Sequence, residues 1–199
     1  QMSVMCIGQL AMQMVVNSLG TAAVAGYTAA SKADQLSVLV NNAMMTAISN
    51  YVAQNFGAGK RERIRQGVRA SLLQTETANI MMCIGILLLR HPIVQMFLSN
   101  PSSEIYHYSD LFLTIEAPFY FLLGLLAVYR TSIQSMQNGR APFMACMIEL
   151  VMRIAATVGL ARILGFTAVC IASPMAWFGA CVLLIPCYYQ MMKKLPFAE

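Results

Sequence analysis

The sequence has 199 residues, of which 58% are hydrophobic and 11% charged, and its 13 Lys and Arg outnumber its 8 Asp and Glu. A water-soluble domain carries about 25% charged residues, so a chain with mean hydropathy +0.63 lacks the polar surface to cover a soluble core. That excludes a soluble domain as the first reading and, with the basic residues accounted for by topology below, a nucleic-acid binder as well. At ~20 residues per helical crossing, the chain holds about six spans.

Apolar runs predict those spans at roughly 2–27, 36–56, 67–89, 108–136, 142–164 and 167–192. The predicted connectors are Ser31-Lys32-Ala33-Asp34, Gly57 to Arg65, Arg90 to Ser109, Asn138 to Pro142, and Gly165. In the third, Asn100-Pro101-Ser102-Ser103 is a turn signal placed to cap the next helix. Gln1 already stands at the edge of an apolar run, with no initiating Met and no secretory leader pattern, so the expectation is a segment whose N-terminal part is missing.

Lysine and arginine sort by connector. Lys60, Arg61, Arg63, Arg65, Arg69, Arg140, Lys193 and Lys194 fall on one side, eight in all, against Lys32, Arg90 and Arg162 on the other. The positive-inside rule then places both termini in the cytoplasm. The stretch AQNFGAGKRERI (53–64) carries glycines and a lysine but not a phosphate-binding loop: Lys60 is followed by Arg61, the first glycine is too close, and a membrane helix precedes it. Gly57 and Gly59 read instead as a helix C-terminus and tight turn.

Six cysteines in apolar runs show no metal-ligand spacing, and no hydrolase or metalloprotease signature is present. No enzyme, cofactor or metal site is expected. Ionisable residues at membrane depth are functional candidates, here Glu76, Glu116, Arg130, Glu149 and Arg153, with Lys32 and Asp34 near the outer end of the second span. Glu149 and Arg153 are four apart on one helix face and can pair; a structural ion pair and a functional carboxylate both remain open. Arg130 is expected to snorkel toward the cytoplasm. Glu116 precedes Pro118 by two residues, where a kink frees backbone and can line a cavity. With Tyr120 one turn on, Glu116 can meet an organic cation by charge and ring face, or pair with a neighbouring helix.

The phrase NSLGTAAVAGYTAASKADQ and, one helix later, YVAQNFGAGKRERIRQG closely resemble the MATE family of multidrug and toxin extrusion antiporters, in its C-terminal half. The stretches EIYHYSDLFLTIEAPFYFLLG, NGRAPF, IELVMRIAATVGLARILG and SPMAWFGA continue the match in order. The resemblance implies an all-α integral membrane fold, with residues 1–199 supplying six transmembrane helices, seven to twelve, as one lobe of a twelve-helix antiporter. It implies a cytosolic loop motif at Gln54, Asn55, Gly57 and Gly59, and a bacterial cell membrane location. Its implied partners are membrane lipids, small organic cations or drugs and an N-terminal lobe of the same polypeptide, with no nucleic acid.

Some members of that family bind the coupling cation in this lobe, through a glutamate in helix seven, a tyrosine in helix ten and an acid one turn later. The tyrosine matches Tyr120, but the other two positions fall near Met5 and on Gly124, and a helix-eight glutamate of some eukaryotic members falls at Lys32. The resemblance therefore favours Na+ or H+ coupling through an aspartate of the other lobe, with substitution by Glu116 as the second option. The residues expected to line the substrate cavity are Tyr120, Glu116, Asn17, Lys32, Asp34 and Gln35. The rival expectations are a flippase for a lipid-linked or polysaccharide substrate and a six-helix scaffold without transport.

Overall fold

The computed structural model describes residues 2–98 and 101–195, which are helical with no strand. Gln1 and Asn100, named above, lie outside the described residues. Six rods follow one another: α1 (Met2–Ser18); α2 (Thr21–Gly57); α3 (Arg61–Phe97); α4 (Ser103–Glu116) joined by a 3₁₀ turn (Ala117–Phe119) to α5 (Tyr120–Ser135); α6 (Arg140–Ile154) joined by a π-turn (Ala155–Gly159) to α7 (Leu160–Leu164); and α8 (Phe166–Lys194). Among the described residues, four rods are long and apolar enough to cross a membrane: Arg61–Phe97, Ser103–Ser135, Arg140–Leu164 and Phe166–Lys194. The chain is an all-α membrane protein. In α1 the helix has 17 residues, and in α2 the polar side chains described below dilute the hydropathy.

The first connector is corrected. The break falls at Leu19-Gly20, where Gly20 has φ +104, and α2 runs unbroken through Ser31–Asp34. The physical reason lies in the bilayer, where every backbone polar group needs a partner. Ser31 Oγ donates back to the Thr28 carbonyl at 2.9 Å, and buried Ala29, Ala30 and Ala33 let neighbouring helices close on this stretch. The third connector is also shorter than predicted, because α3 continues past Arg90 and through Pro92 to Phe97. Fully buried Val94 holds that extension against the bundle.

Other boundaries match the sequence reading. Lys60 N–H donates to the Asn55 carbonyl at 2.9 Å and Gly59 N–H to the Phe56 carbonyl at 3.1 Å. These two bonds form a Schellman cap, with Gly59 at φ +68 in the left-handed position that glycine tolerates best. Ser102 Oγ accepts from Ile105 N at 3.4 Å and caps α4. Pro118 sits in the 3₁₀ turn between α4 and α5.

The basic turns share one end of the bundle: Arg61 donates to the Leu195 carbonyl at 3.4 Å, and Asn138 reaches Met191 Sδ at 3.3 Å. At the far end His91 Nε2 lies 3.0 Å from Asp110 Oδ2. Between the two ends, α2 packs against α3, α4 and α5, while α6 packs against α8 and α1. The interior so formed is largely apolar, and among its buried polar side chains a seam runs along α2.

Candidate functional site

Asp34, Ser37 and Asn41 recur at spacings of three and four along α2, so they lie on one helix face. That face turns inward: Ser37 and Asn41 are buried, and Asp34, half-buried as a residue, has a fully buried Oδ1. Across from it, the 3₁₀ turn around Pro118 sets Glu116 at the end of α4 and Tyr120 at the start of α5, both at most 2% exposed. Tyr120 stands in the fields of Asp34 and Glu116 and beside the Ser37 hydroxyl. Glu116 stands in the fields of Asp34 and Arg153 and beside Ser173 of α8. Asp34 Oδ1, Ser37 Oγ, Glu116 Oε2 and Tyr120 Oη are all buried and outside full hydrogen-bond distance of a partner, although Asp34 and Ser37 stand close enough to the Tyr120 hydroxyl, and Ser173 to Glu116, for weak polar interaction.

Buried polar atoms are ordinarily paired, so four unpaired ones in one cluster call for a physical cause. The charges add to the demand. Asp34 and Glu116 face one guanidinium, Arg153, which also acts on Tyr27, and among the described residues neither carboxylate is within ion-pair distance of a base. With all three groups ionised the cluster carries one uncompensated negative charge. An unpaired buried charge is costly, so the cluster is suited to holding one proton or one monovalent cation.

The ion pair expected between Glu149 and Arg153 is corrected. Glu149 of α6 pairs with Arg130 of α5, which donates from Nη2 to its Oε1. Arg130 therefore does not snorkel; its side chain is 11% exposed and faces the bundle interior. A carboxylate on the adjacent helix neutralises it there, whereas no comparable partner is visible from the sequence of α5 alone. Arg153, relieved of Glu149, lies across Gly8 of α1 and supplies the charge opposite Asp34 and Glu116. Met5, where the family resemblance puts a glutamate, lines a small space with Glu149 and Arg153.

The predicted cavity-lining set divides. Tyr120, Glu116 and Asp34 come together inside the lobe. Asn17, Lys32 and Gln35 are exposed on its surface, and Asn17 accepts from Gln13 Nε2 at 2.9 Å. In the motif at 54–59, Gln54 and Asn55 contribute backbone carbonyls to the helix cap, and Asn55 Nδ2 donates to the Tyr51 carbonyl at 2.8 Å. Sequence reading missed Ser37 and Ser173, and for Arg130, which it named, it missed the partner Glu149; only Ser37 carried a signal, one turn after Asp34. Among the described residues no group of three or more His, Cys, Asp or Glu converges, and each cysteine is free.

The sequence matches the MatE family over residues 1–158. A curated relative, an FAD transporter of Shewanella oneidensis, is 22% identical over 173 residues, covering 86% of this chain and 37% of the relative. A solved structure described as an outward-facing multidrug resistance MATE family transporter of the MOP superfamily superposes with a TM-score of 0.87. It is 17% identical and covers 96% of this chain and 44% of the solved one. The chain thus spans less than half the length of these relatives.

Proposed function

The chain belongs to the MatE family, whose members are membrane transporters and not enzymes, and from that premise we propose that it is the C-terminal six-helix lobe of a cation-coupled exporter of organic compounds. The observation that carries the proposal is the convergence of Asp34 and Glu116 on Tyr120 with Arg153 as their one counter-charge. In this reading the uncompensated charge is met by the coupling ion, a proton or Na+, in one state of the transport cycle and by a cationic substrate in the other. Export follows only if the ion prefers one state, because equal affinity for both shifts nothing. In this reading the basic end of the bundle faces the cytoplasm, which the eight-to-three distribution of basic residues supports.

This moves the coupling site from the other lobe, which the family resemblance favoured, into this one. The relative that transports FAD suggests an anionic cargo instead. A net acidic interior disfavours an anion there, and Lys32 on the exposed face of α2 is the base that would meet it. The test is efflux of a fluorescent organic cation from intact cells carrying the full-length protein, with Glu116→Gln and Asp34→Asn compared at matched membrane levels. The proposal expects each variant to lose efflux at least tenfold. Unchanged efflux in both removes the acid pair from the mechanism and returns coupling to the other lobe; absence of cation efflux in the parent protein, beside FAD export that Lys32→Ala abolishes, replaces the substrate class.

A further inference from the structure

About 10 Å farther along α2 from the acid pair, at 1.5 Å per residue, the polar seam opens into a second cluster around Gly124 of α5. Its members come from three helices. Asn41 Nδ2 donates to Asn79 Oδ1 of α3 at 3.0 Å and to the Ser37 carbonyl at 2.8 Å. Thr75 is 1% exposed, and its Oγ1 is buried with no partner. A helical threonine can satisfy its hydroxyl on the carbonyl four residues back; its neighbour Thr77 does so, to Leu73 at 2.8 Å, and Thr75 does not. Glu76 Oε1 is likewise buried without a partner, and among the described residues no basic side chain is within ion-pair distance of Glu76.

Gly124 is what brings these groups together. A Cβ on it would lie 2.6 Å from Glu76 Oε1, 2.4 Å from Asn79 Nδ2 and 3.2 Å from Thr75 Cγ2. Any side chain there would displace the cluster, so the bare backbone of α5 forms one wall of it. The groups on the other walls are a carboxylate, a hydroxyl and two side-chain amides, all offering hard oxygens. The neighbouring Cys181 thiol is directed elsewhere, to the Leu122 carbonyl at 3.5 Å. One carboxylate with neutral oxygens suits a singly charged hard cation; divalent ions gather more carboxylate charge. With an ion bound, the Asn79 amide turns over to present Oδ1 in place of Nδ2 toward the same point, and Asn41 turns with it, exchanging its present bonds to Asn79 Oδ1 and the Ser37 carbonyl.

We propose that Glu76, Thr75, Asn79 and Asn41 form a second cation site, for an alkali cation such as Na+, at the close approach of α3 to Gly124. The site shares no residue with the Asp34–Glu116 pair and does not rest on the transport reading. An ion there neutralises Glu76, satisfies Thr75 Oγ1 and ties α2, α3 and α5 together, within one helical turn of Ser37 and Tyr120.

The experiment is equilibrium binding of radioactive Na+ to the purified full-length protein, with choline holding the ionic strength constant. Glu76→Gln keeps the side-chain shape and is expected to remove one bound Na+ per chain. Thr75→Val is expected to weaken that equivalent at least tenfold, and Thr75→Ser to keep it. Thr77→Val, on an exposed hydroxyl already bonded to its own helix, leaves the count unchanged. Gly124→Ala is expected to remove the same equivalent, and where it fails to fold Glu76→Gln still decides. An unaltered count in Glu76→Gln overturns the proposal. So does loss of that equivalent in Asp34→Asn while Glu76→Gln retains it, which places the ion at the acid pair.

Discussion

Removing Glu149 leaves Arg130 with its charge inside the bundle and no carboxylate opposite it. The two side chains are 11% and 9% exposed, so water cannot replace the lost partner, and Arg130 Nε is already unpaired. Breaking a buried ion pair from one side costs about 3–5 kcal/mol, and slight exposure at both groups sets the expectation near 3 kcal/mol. For a unit of this size, ~2–4 °C per kcal/mol converts that to a fall in Tm of roughly 6–12 °C. The assay is thermal unfolding of detergent-purified protein followed by size-exclusion fluorescence, for Glu149→Ala, Arg130→Met and the double variant. The double variant should recover most of the loss, since it buries no lone charge. A Glu149→Ala protein as stable as the parent, or a double variant less stable than either single one, refutes this reasoning. A cycle between Glu149 and Arg153 should show much weaker coupling than the cycle with Arg130.

Gly59→Ala places a Cβ at φ +68 and should cost about 1 kcal/mol, read as a lower Tm, with Gly59→Asn milder. Ser102→Ala removes the oxygen that accepts from Ile105 N at 3.4 Å; at that length the loss should be about 0.5–1 kcal/mol. It should appear as faster amide exchange in the first turn of α4. Asp110→Asn cuts the contacts to His91 and Arg90 at the far end, but those partners are 52% and 38% exposed. The effect on Tm should therefore correspond to under about 1 kcal/mol and shrink with added salt.

Local chemistry made some of the fold legible. Gly59, Ser102 and Pro118 each act through their own backbone or side chain within a turn of where they stand, so helix ends and the kink were readable from the residues alone. The polar run Ser31-Lys32-Ala33-Asp34 misled for the opposite reason. It resembles a connector, but Asp34 is turned into the bundle, Lys32 away from it, and the helix passes through. The Arg130–Glu149 pair was out of reach because it joins two helices, whereas spacing arguments see partners only along one. The same holds for the candidate site. Asp34 and Glu116 were each visible as charges at membrane depth, but nothing in their neighbourhoods showed that the α4–α5 kink sets one opposite the other. Glu76 was visible too, and only the packing of α3 on Gly124 gave it company.

The central claim is that the Asp34–Glu116 pair holds the coupling ion. It is tested most directly by measuring ion release from the purified full-length protein when an organic cation binds, using a pH indicator in weak buffer and an Na+ electrode in parallel. The account predicts about one proton or one Na+ released per protein, and none in Glu116→Gln at saturating substrate. Release from Glu116→Gln and Asp34→Asn as large as from the parent protein would contradict it and place coupling outside this lobe's acid pair.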